Sequence, residues 1–294
     1  MPPTPHAAPF ALALLALDGV GRVTAHRLLE RFPGLDALRQ TPREQVLLRL
    51  KGAPNAERIV GRLFDEEFDD VLASSTAETE KLAATGVHTL APGNDGWPTG
   101  LERLGRAERP VVLYAYGNLA ALADPLLAVF GRPPVPSDPF EAAQRLARRA
   151  ADAGAGVACG LAHGFDVAVV KVATAAGRAP VAVAGSGLGQ LTPSLRPSAT
   201  ALVRAGGLLL SPFPMAHGPF PHDDRERALV QAAMSRAVVV AAPVEGSPEA
   251  KAAAWASGAG LNAAVLGADA DWATLRADAP DADAAILGWL SDAP

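Results

Sequence analysis

From about Val87 onward, short apolar runs rich in β-branched residues alternate with segments of helical periodicity, and this alternation narrows the possible folds more than any other feature of the chain. The predicted strands are residues 111–114, 126–130, 156–159, 181–184, 207–210, 237–242 and 261–266. The predicted helices between them are residues 139–153, 166–176, 197–205, 225–235 and 248–257. Because the strands are apolar throughout, they are typical of a sheet buried on both faces. The sequence therefore predicts an α/β fold, a Rossmann-like, mostly parallel sheet with helices on both faces, over residues 83–267.

Residues 1–82 show a helical pattern and predict a small all-helical domain of the SAM or helix-hairpin-helix type. A glycine turn at Gly19 and Gly21 precedes an apolar helix that begins near Arg22, and this arrangement resembles the helix-hairpin-helix motif. In that motif, backbone N–H groups at the helix start hold a DNA phosphate. Gly19, Gly21 and Arg22 are the predicted phosphate contacts, with His26 and Arg27 close by. The alternative is a glycine corner that only lets two helices pack closely.

The net charge of −5 argues against a nucleic-acid partner, but the charge is unevenly distributed. Residues 83–267 hold fifteen basic against thirteen acidic side chains, and residues 1–60 hold eight against five. The excess of acidic residues lies in two segments, residues 65–80 and residues 268–294. The first is interpreted as a solvated connector and the second as an acidic tail. The tail is expected to form one or two short helices, through Trp272 and Leu275 and through Ile286 and Leu290. Both candidate binding regions are thus mildly basic.

A single cysteine, Cys159, excludes an intramolecular disulfide and fits a reducing compartment. No apolar run approaches the roughly 20 residues of a membrane span, and the N-terminal sequence lacks a signal-peptide pattern. We expect a cytoplasmic protein without a membrane partner.

Five stretches of the α/β region resemble, in order, the motifs of the DNA-processing protein A (DprA/Smf) family. Residues 95–101 and 109–119 resemble D-x-x-Y-P-x-x-L followed by P-x-V-L-Y-x-x-G-N-L, with Trp97 in place of tyrosine. Residues 159–166 resemble S-G-x-A-x-G-I-D, residues 183–188 resemble A-x-G-x-G-L, and residues 205–211 with 220–221 resemble G-G-x-L-L-S-E followed by F-P. The resemblance implies single-stranded DNA binding, loading of the RecA recombinase, a homodimer, and a role in recombination and natural transformation (competence).

The candidate binding residues follow the predicted strands, because ligands of parallel sheets lie beyond the carboxyl ends of the strands. The residues whose backbone N–H groups are predicted to approach a phosphate are Gly131, Gly160, Gly164, Gly185, Gly187, Gly246 and Ser247. The predicted charge partners are Arg132, Lys171, Arg225 and Arg227. Asp166 is interpreted as the N-cap of the helix after Gly164.

No catalytic triad, useful acid pair, His-rich metal pattern or P-loop is present in the sequence. No Gly-x-Gly-x-x-Gly segment is followed by an acid at the spacing of a dinucleotide site. The sequence therefore predicts a binding protein and not an enzyme, with no metal and no cofactor.

Several loops depart from the family pattern. Residues 130–137 keep Gly131 and Arg132 but add three prolines, which remove N–H donors. Acids appear among the basic residues at 222–227 and at Glu245, a family histidine is absent beside Lys171, and the C-terminal winged-helix domain of many members is not found. These departures leave two alternatives open: a divergent Rossmann-like sensor of a nucleotide or small ligand, and a paralogue with impaired DNA binding that acts by dimerising.

Overall fold

The computed structural model describes residues 8–161, 164–276 and 281–291. It divides into two compact units, Met1–Trp97 with Leu104–Tyr114, and Pro98–Arg103 with Ala115–Pro294. The first unit contains six helices and a strand in its described part: α1 Ala8–Ala16, α2 Arg22–Leu29, α3 Leu35–Arg39, α4 Arg43–Arg49, α5 Ala56–Leu63, α6 Glu67–Ala84 and β1 Val87–Leu90. The domain boundary expected from the sequence, near residue 82, does not coincide with this division, because β1 and residues 104–114 belong to the same unit as the six helices.

The acidic residues 65–80 form most of a long helix, α6, and so the interpretation of this segment as a solvated connector is wrong. Helix α6 packs along α1, and the Phe68 ring meets the Phe10 ring edge-on with centroids 6.4 Å apart. Both rings are buried. The acidic residues were misleading because they lie on the solvent side of an amphipathic helix. Those in the first turn stabilise the helix by interacting with the positive end of its dipole.

The second unit is a doubly wound parallel sheet, which confirms the predicted fold class. Its strands are β2 Leu113–Gly117 (whose first two residues belong to the first unit), β3 Leu126–Gly131, β4 Gly156–Gly160, β5 Val181–Val183, β6 Leu208–Ser211, β7 Ala237–Ala241, β8 Asn262–Leu266 and β9 Leu275–Arg276. Its helices are α7 Ser137–Asp152, α8 Gly164–Ala175, α9 Arg196–Arg204, α10 Asp223–Ala233, α11 Pro248–Gly258 and α12 Ala282–Ser291. Each of the seven predicted strands is present, with ends shifted by at most a few residues.

The order of the strands fixes where a ligand site can lie. The sheet runs β2-β6-β5-β4-β3-β7-β8-β9, with parallel pairing from β6 to β9. From β3 the chain winds outward through β4 and β5 to β6, whereas β7, on the other side of β3, is followed by β8 and β9. The winding direction therefore reverses between β3 and β7, and ligands of such sheets bind at the carboxyl ends beside that reversal.

The core of the second unit lies between the sheet and its helices. Every residue of β3, β4, β6 and β7 is buried, as expected for a sheet covered on both faces. Cys159 is among them, and its burial raises the pKa of the thiol well above its usual value. These strands form a rigid base for the loops at their carboxyl ends.

The interpretation of residues 268–294 as an acidic tail is corrected, since the described part of this segment belongs to the second unit. A helix through Trp272 and Leu275 is not present, because Leu275 instead pairs with Ala264 as strand β9 on the edge of the sheet. The helix expected through Ile286 and Leu290 is α12. It packs on α7, and its Asp283 carboxylate accepts hydrogen bonds from two arginines of α7.

Among the described residues, no helix combines the length and the apolar character that a bilayer crossing requires.

Candidate functional site

Arg132 follows β3 directly, and its guanidinium lies at the carboxyl edge of the sheet beside the winding reversal. Its Nε donates to Glu249 Oε2 at 2.9 Å, and its Nη2 donates to Glu249 Oε1 at 3.2 Å and to Asp224 Oδ2 at 3.1 Å. The hydrogen bonds with Glu249 raise the pKa of the Arg132 guanidinium above its usual value. A DNA phosphate would therefore have to compete with two carboxylates for this side chain.

Arg227 is buried next to Glu249, so its side chain cannot contact DNA in this conformation. Only 2% of its side chain is exposed, and its Nη2 donates to Glu249 Oε1 at 2.8 Å. Its Nη1 donates to Gln231 Oε1 at 3.1 Å, and the Gln231 amide donates in turn to the carbonyls of Val129 and Ala158. The interpretation of Arg227 as a phosphate partner is thus corrected: it is a structural cation that ties α10 and α11 to the strands.

Asp166 joins the same group, which corrects its interpretation as a helix N-cap. It lies in the first turn of α8, two residues after the helix begins at Gly164, and it is buried. A Cβ atom on Gly160 would lie 2.8 Å from Asp166 Oδ2 and 2.7 Å from Arg227 Nη1, so both groups crowd the end of β4. Asp166 therefore lies close to Arg227, while Asp224 and Glu249 each form ion pairs with both arginines. We call these five residues the strand-end ion cluster.

The strand-end glycines divide into two groups. Gly131, Gly160 and Gly187 are glycines because of packing: a Cβ on Gly131 would lie 2.7 Å from the Phe165 ring, and one on Gly187 would lie 2.0 Å from the carbonyl oxygen of Pro214. Gly164, Gly185 and Gly246 have more open surroundings. The atom nearest to a Cβ on Gly185 would be Asp224 Oδ1, at 3.4 Å, and a Cβ on Gly164 or Gly246 would have no atom within 4 Å.

Two of the predicted N–H donors are already used by the protein. The Gly187 N–H donates to the His217 carbonyl at 2.9 Å, and the Ser247 N–H donates to the Val244 carbonyl at 3.1 Å. Ser247 is the N-cap of α11, and its Oγ accepts from the Ala250 N–H at 3.2 Å. The expectation that both residues approach a phosphate through their N–H groups is corrected accordingly.

Lys171 and Arg225 are exposed on helices that begin at this edge. Lys171 lies seven residues into α8, about 10 Å along the helix axis from its start, so it lies well behind the strand ends. Arg225 is in the first turn of α10, close to Asp224. Their contacts with DNA remain predictions.

A cavity of about 390 Å³ opens next to the strand-end ion cluster, between the loop after β5 and the start of α10. Its lining is apolar with a few polar groups: Leu161, Ala184, Gly185, Ser186, Leu191, Thr192, Ser194, Leu195, Pro219, Phe220, Pro221 and Asp224. None of these described lining residues carries a positive charge. The volume and the mixed lining are those of a small-ligand site.

The loop between β6 and α10 fixes one wall of this cavity. Asp223, buried at the start of α10, accepts hydrogen bonds from the Phe220 N–H and from His217 Nε2, each at 3.0 Å. The His217 ring stacks on Phe213 at 4.7 Å between centroids and meets the edge of Phe220 at 5.2 Å. The Asp223 and His217 side chains thus fix the position of Phe220, while half of the Phe220 side chain stays exposed.

In the first unit, the glycine turn before α2 is exposed and has the expected local structure. Gly19 has a left-handed φ of 85°, and Gly21 precedes α2 without a side-chain cap, so the first N–H groups of α2 lack a side-chain partner at the N-cap. His26, expected near the turn, is instead buried, and its Nε2 donates to the Arg109 carbonyl at 3.1 Å. Gly19, Gly21 and Arg22 remain predicted phosphate contacts.

Sequence reasoning missed Glu249, which is bonded to both arginines of the cluster. Glu249 lies in the first turn of α11, where acidic residues are common because they stabilise the positive end of the helix dipole. One sequence signal could have found it: Glu249 directly follows Ser247 and Pro248, which start a helix after a predicted strand. The acids at 222–227 also pointed to carboxylates at this edge of the sheet. Gln231 gave no signal, because a lone glutamine within a helix is typical of a solvent face.

A doubly wound parallel sheet with helices on both faces defines a protein of the Rossmann-like class. Within that class, the chain belongs to the DNA recombination-mediator protein A family, whose model matches residues 88–275. No curated protein sequence matches the chain significantly.

Two solved structures share the fold. DNA processing protein A (DprA) from Streptococcus pneumoniae is 20% identical with a TM-score of 0.61, over 88% of this chain and 90% of that one. DNA processing protein A from Helicobacter pylori, described with a single-stranded DNA binding mode, is 22% identical with a TM-score of 0.53, over 63% of this chain and 82% of that one. The family model thus confirms the expected family, and the two structures confirm the fold.

Proposed function

We propose that the chain binds single-stranded DNA at the carboxyl edge of its sheet, and that it acts in DNA recombination by binding and not by catalysis. The observation that carries this proposal is the cavity between Gly185 and Phe220, at the carboxyl ends of β4, β5 and β6, in a family whose Helicobacter pylori relative binds single-stranded DNA. An exposed aromatic ring at a cavity mouth is the usual platform for an unpaired base. The exposed turn at Gly19 and Gly21 would add a phosphate contact from the helical unit.

Fluorescence anisotropy with a labelled single-stranded oligonucleotide tests this proposal. We expect saturable binding at low salt and its loss in Gly185→Leu, because the larger side chain would fill the cavity. Gly288→Ala, on α12 where a Cβ meets no atom within 4 Å, is the matched control and keeps full binding. Absence of binding by the wild-type chain at low salt overturns the proposal.

We further propose that the bound strand is passed to the RecA recombinase by a homodimer in the cytoplasm, in recombination or natural transformation. Support comes only from family membership. Sedimentation of the chain alone and co-sedimentation with RecA test the two partners separately. A monomer at all concentrations or an absence of RecA association would contradict the corresponding part.

The second candidate function is a small-ligand sensor, and the strand-end ion cluster favours it. Arg132 and Arg227 are paired with carboxylates, so an uncharged ligand fits the cavity better than a free phosphate does. In a thermal-shift screen, stabilisation by nucleosides without any effect of oligonucleotides would support the sensor over the DNA-binding protein.

A further inference from the structure

Asp224 is the one carboxylate among the described residues that line the cavity. It lies in the first turn of α10, and 28% of its side chain is exposed. Its Oδ1 would lie 3.4 Å from a Cβ on Gly185, so this oxygen faces the glycine that ends the opposite wall. A ligand in the cavity therefore meets a hydrogen-bond acceptor that carries negative charge.

The strand-end ion cluster does not depend on this carboxylate. Glu249 bonds to Arg132 twice, at 2.9 and 3.2 Å, and to Arg227 once, at 2.8 Å. Asp224 adds one bond to Arg132 at 3.1 Å, while its Oδ1 is 3.5 Å from Arg227 Nε, beyond a good hydrogen bond. Because Glu249 is a partner of both arginines, Asp224 Oδ1 retains the capacity to accept from a ligand.

The charge of the cavity decides which part of a nucleotide can enter it. A phosphate would approach a carboxylate without a cation among the described lining residues, and this repulsion is strong where water is partly excluded. A nucleobase is flat, uncharged and large enough to contact the apolar side chains of Leu161, Leu191 and Leu195. The base therefore faces inward and the phosphates stay outside.

Bases differ in what they offer to a carboxylate. Cytosine and adenine carry an exocyclic amino group that donates hydrogen bonds, whereas thymine has a carbonyl at the corresponding position of its ring. A thymine O4 turned toward Asp224 would meet a like partial charge. An amino group in the same place would gain a charge-assisted hydrogen bond.

We propose that Asp224 selects the base bound in the cavity by accepting a hydrogen bond from the exocyclic amino group of cytosine or adenine, so that these bases are preferred over thymine. This inference rests on the proposed single-stranded DNA binding. It adds a specificity-determining residue to that site.

Two probes whose bases share the 5-methyl group and differ only at C4 and N3 test the proposal on the full chain. They are fluorescein-labelled oligomers of thymidine and of 5-methyldeoxycytidine, which differ in carrying O4 or an amino group at C4. We expect the 5-methylcytosine oligomer to bind about tenfold more tightly to the wild type. In Asp224→Asn the ratio falls to within about twofold, because a carboxamide can present either its NH2 or its oxygen.

Glu245→Gln is the matched control, since it removes the same charge from the exposed loop after β7 outside the described cavity lining. Both variants raise overall affinity for DNA, but only the Asp224 substitution changes the ratio. Asp224→Ala is a second variant that removes the acceptor while Glu249 still partners both arginines.

The outcomes separate the inference from the proposed function. Equal binding of the two probes by the wild type overturns the base preference and leaves DNA binding standing. A preference that persists in both Asp224 variants overturns the assignment to this residue. If neither probe binds at all, the proposed function fails as well.

Discussion

At the scale of single residues, the decisive finding concerns the partners of the predicted phosphate ligands. Arg132 and Arg227 look like free cations at strand ends when the sequence is read alone. In the structure both hydrogen bond to Glu249, which is 117 residues from one and 22 from the other. Side-chain partners at such separations depend on how the strands are ordered, and no local pattern encodes that order.

We predict that Glu249→Gln destabilises the second unit by about 3 kcal/mol, because Arg227 would keep a buried charge without its closest carboxylate. Asp224→Asn should cost less than about 1 kcal/mol, since Asp224 is partly exposed and Glu249 would still pair with both arginines. Urea unfolding of both variants measures the difference. Equal losses of stability would contradict a central role for Glu249.

His26 provides a prediction on pH dependence in the first unit. Its burial lowers the imidazole pKa from 6.5 to about 4, so the folded chain keeps it neutral. Between those values the unfolded chain binds a proton that the folded chain does not, and stability therefore falls as pH drops from 6.5 toward 4. The full effect is on the order of 3 kcal/mol.

The variant His26→Gln should flatten this dependence, since an amide N–H can still donate to the Arg109 carbonyl but the side chain does not titrate. Thermal unfolding of wild type and variant between pH 7 and pH 4 provides the comparison. The Glu30 carboxylate, whose pKa is lowered chiefly by its hydrogen bond with Arg106, adds a loss at lower pH that both proteins share. Parallel curves above pH 5 would show that the ring is not held neutral.

At the scale of elements, strands were easier to predict than the roles of acidic segments. Runs such as Ala237–Ala241 are apolar on both faces, so periodicity and length alone locate them. The acidic residues of α6 lie on the exposed side of the helix, away from the buried Phe68, and Asp283 of α12 is itself buried against α7. Composition averages over both sides of a helix and therefore indicated a connector and a tail where the structure has packed helices.

We expect Ile286→Ala to destabilise the second unit by about 2 to 5 kcal/mol, because Ile286 is fully buried against the core that α7 covers. Leu48→Ala is the size-matched control, as 68% of that leucine is exposed on α4. Urea unfolding curves provide the measurement. If both substitutions had similarly small effects, α12 would not contribute to the core.

At the scale of the whole molecule, the net charge of −5 and the paired arginines predict an unusually weak salt dependence of DNA binding. Because Arg132 and Arg227 are both bonded to carboxylates, these two side chains release few counterions when DNA binds. We expect log Kobs to fall with log salt at a slope of about −1 to −2 for single-stranded DNA.

Glu249→Gln should steepen this slope by about one unit, because it removes the carboxylate that accepts two of the three hydrogen bonds of Arg132 and lets a phosphate compete for this side chain. Lys171→Ala should instead flatten the slope by about one unit, because this exposed lysine is a predicted phosphate contact. Anisotropy titrations from low to moderate salt measure all three proteins. A wild-type slope steeper than about −4 would mean that cations outside the strand-end ion cluster dominate binding.

The sequence by itself determined the fold class, the position of nearly every strand of the sheet, the family, and the edge of the sheet where a site should lie. These follow from local periodicity and collinear motifs, which do not depend on distant contacts. The tertiary structure alone decided which charges meet: it joined Arg132, Asp166, Asp224, Arg227 and Glu249 in one cluster and left Asp224 facing a cavity. The physical reason is that a parallel sheet brings the ends of sequence-distant strands to one edge, where the energy of each charge depends on its neighbours in space.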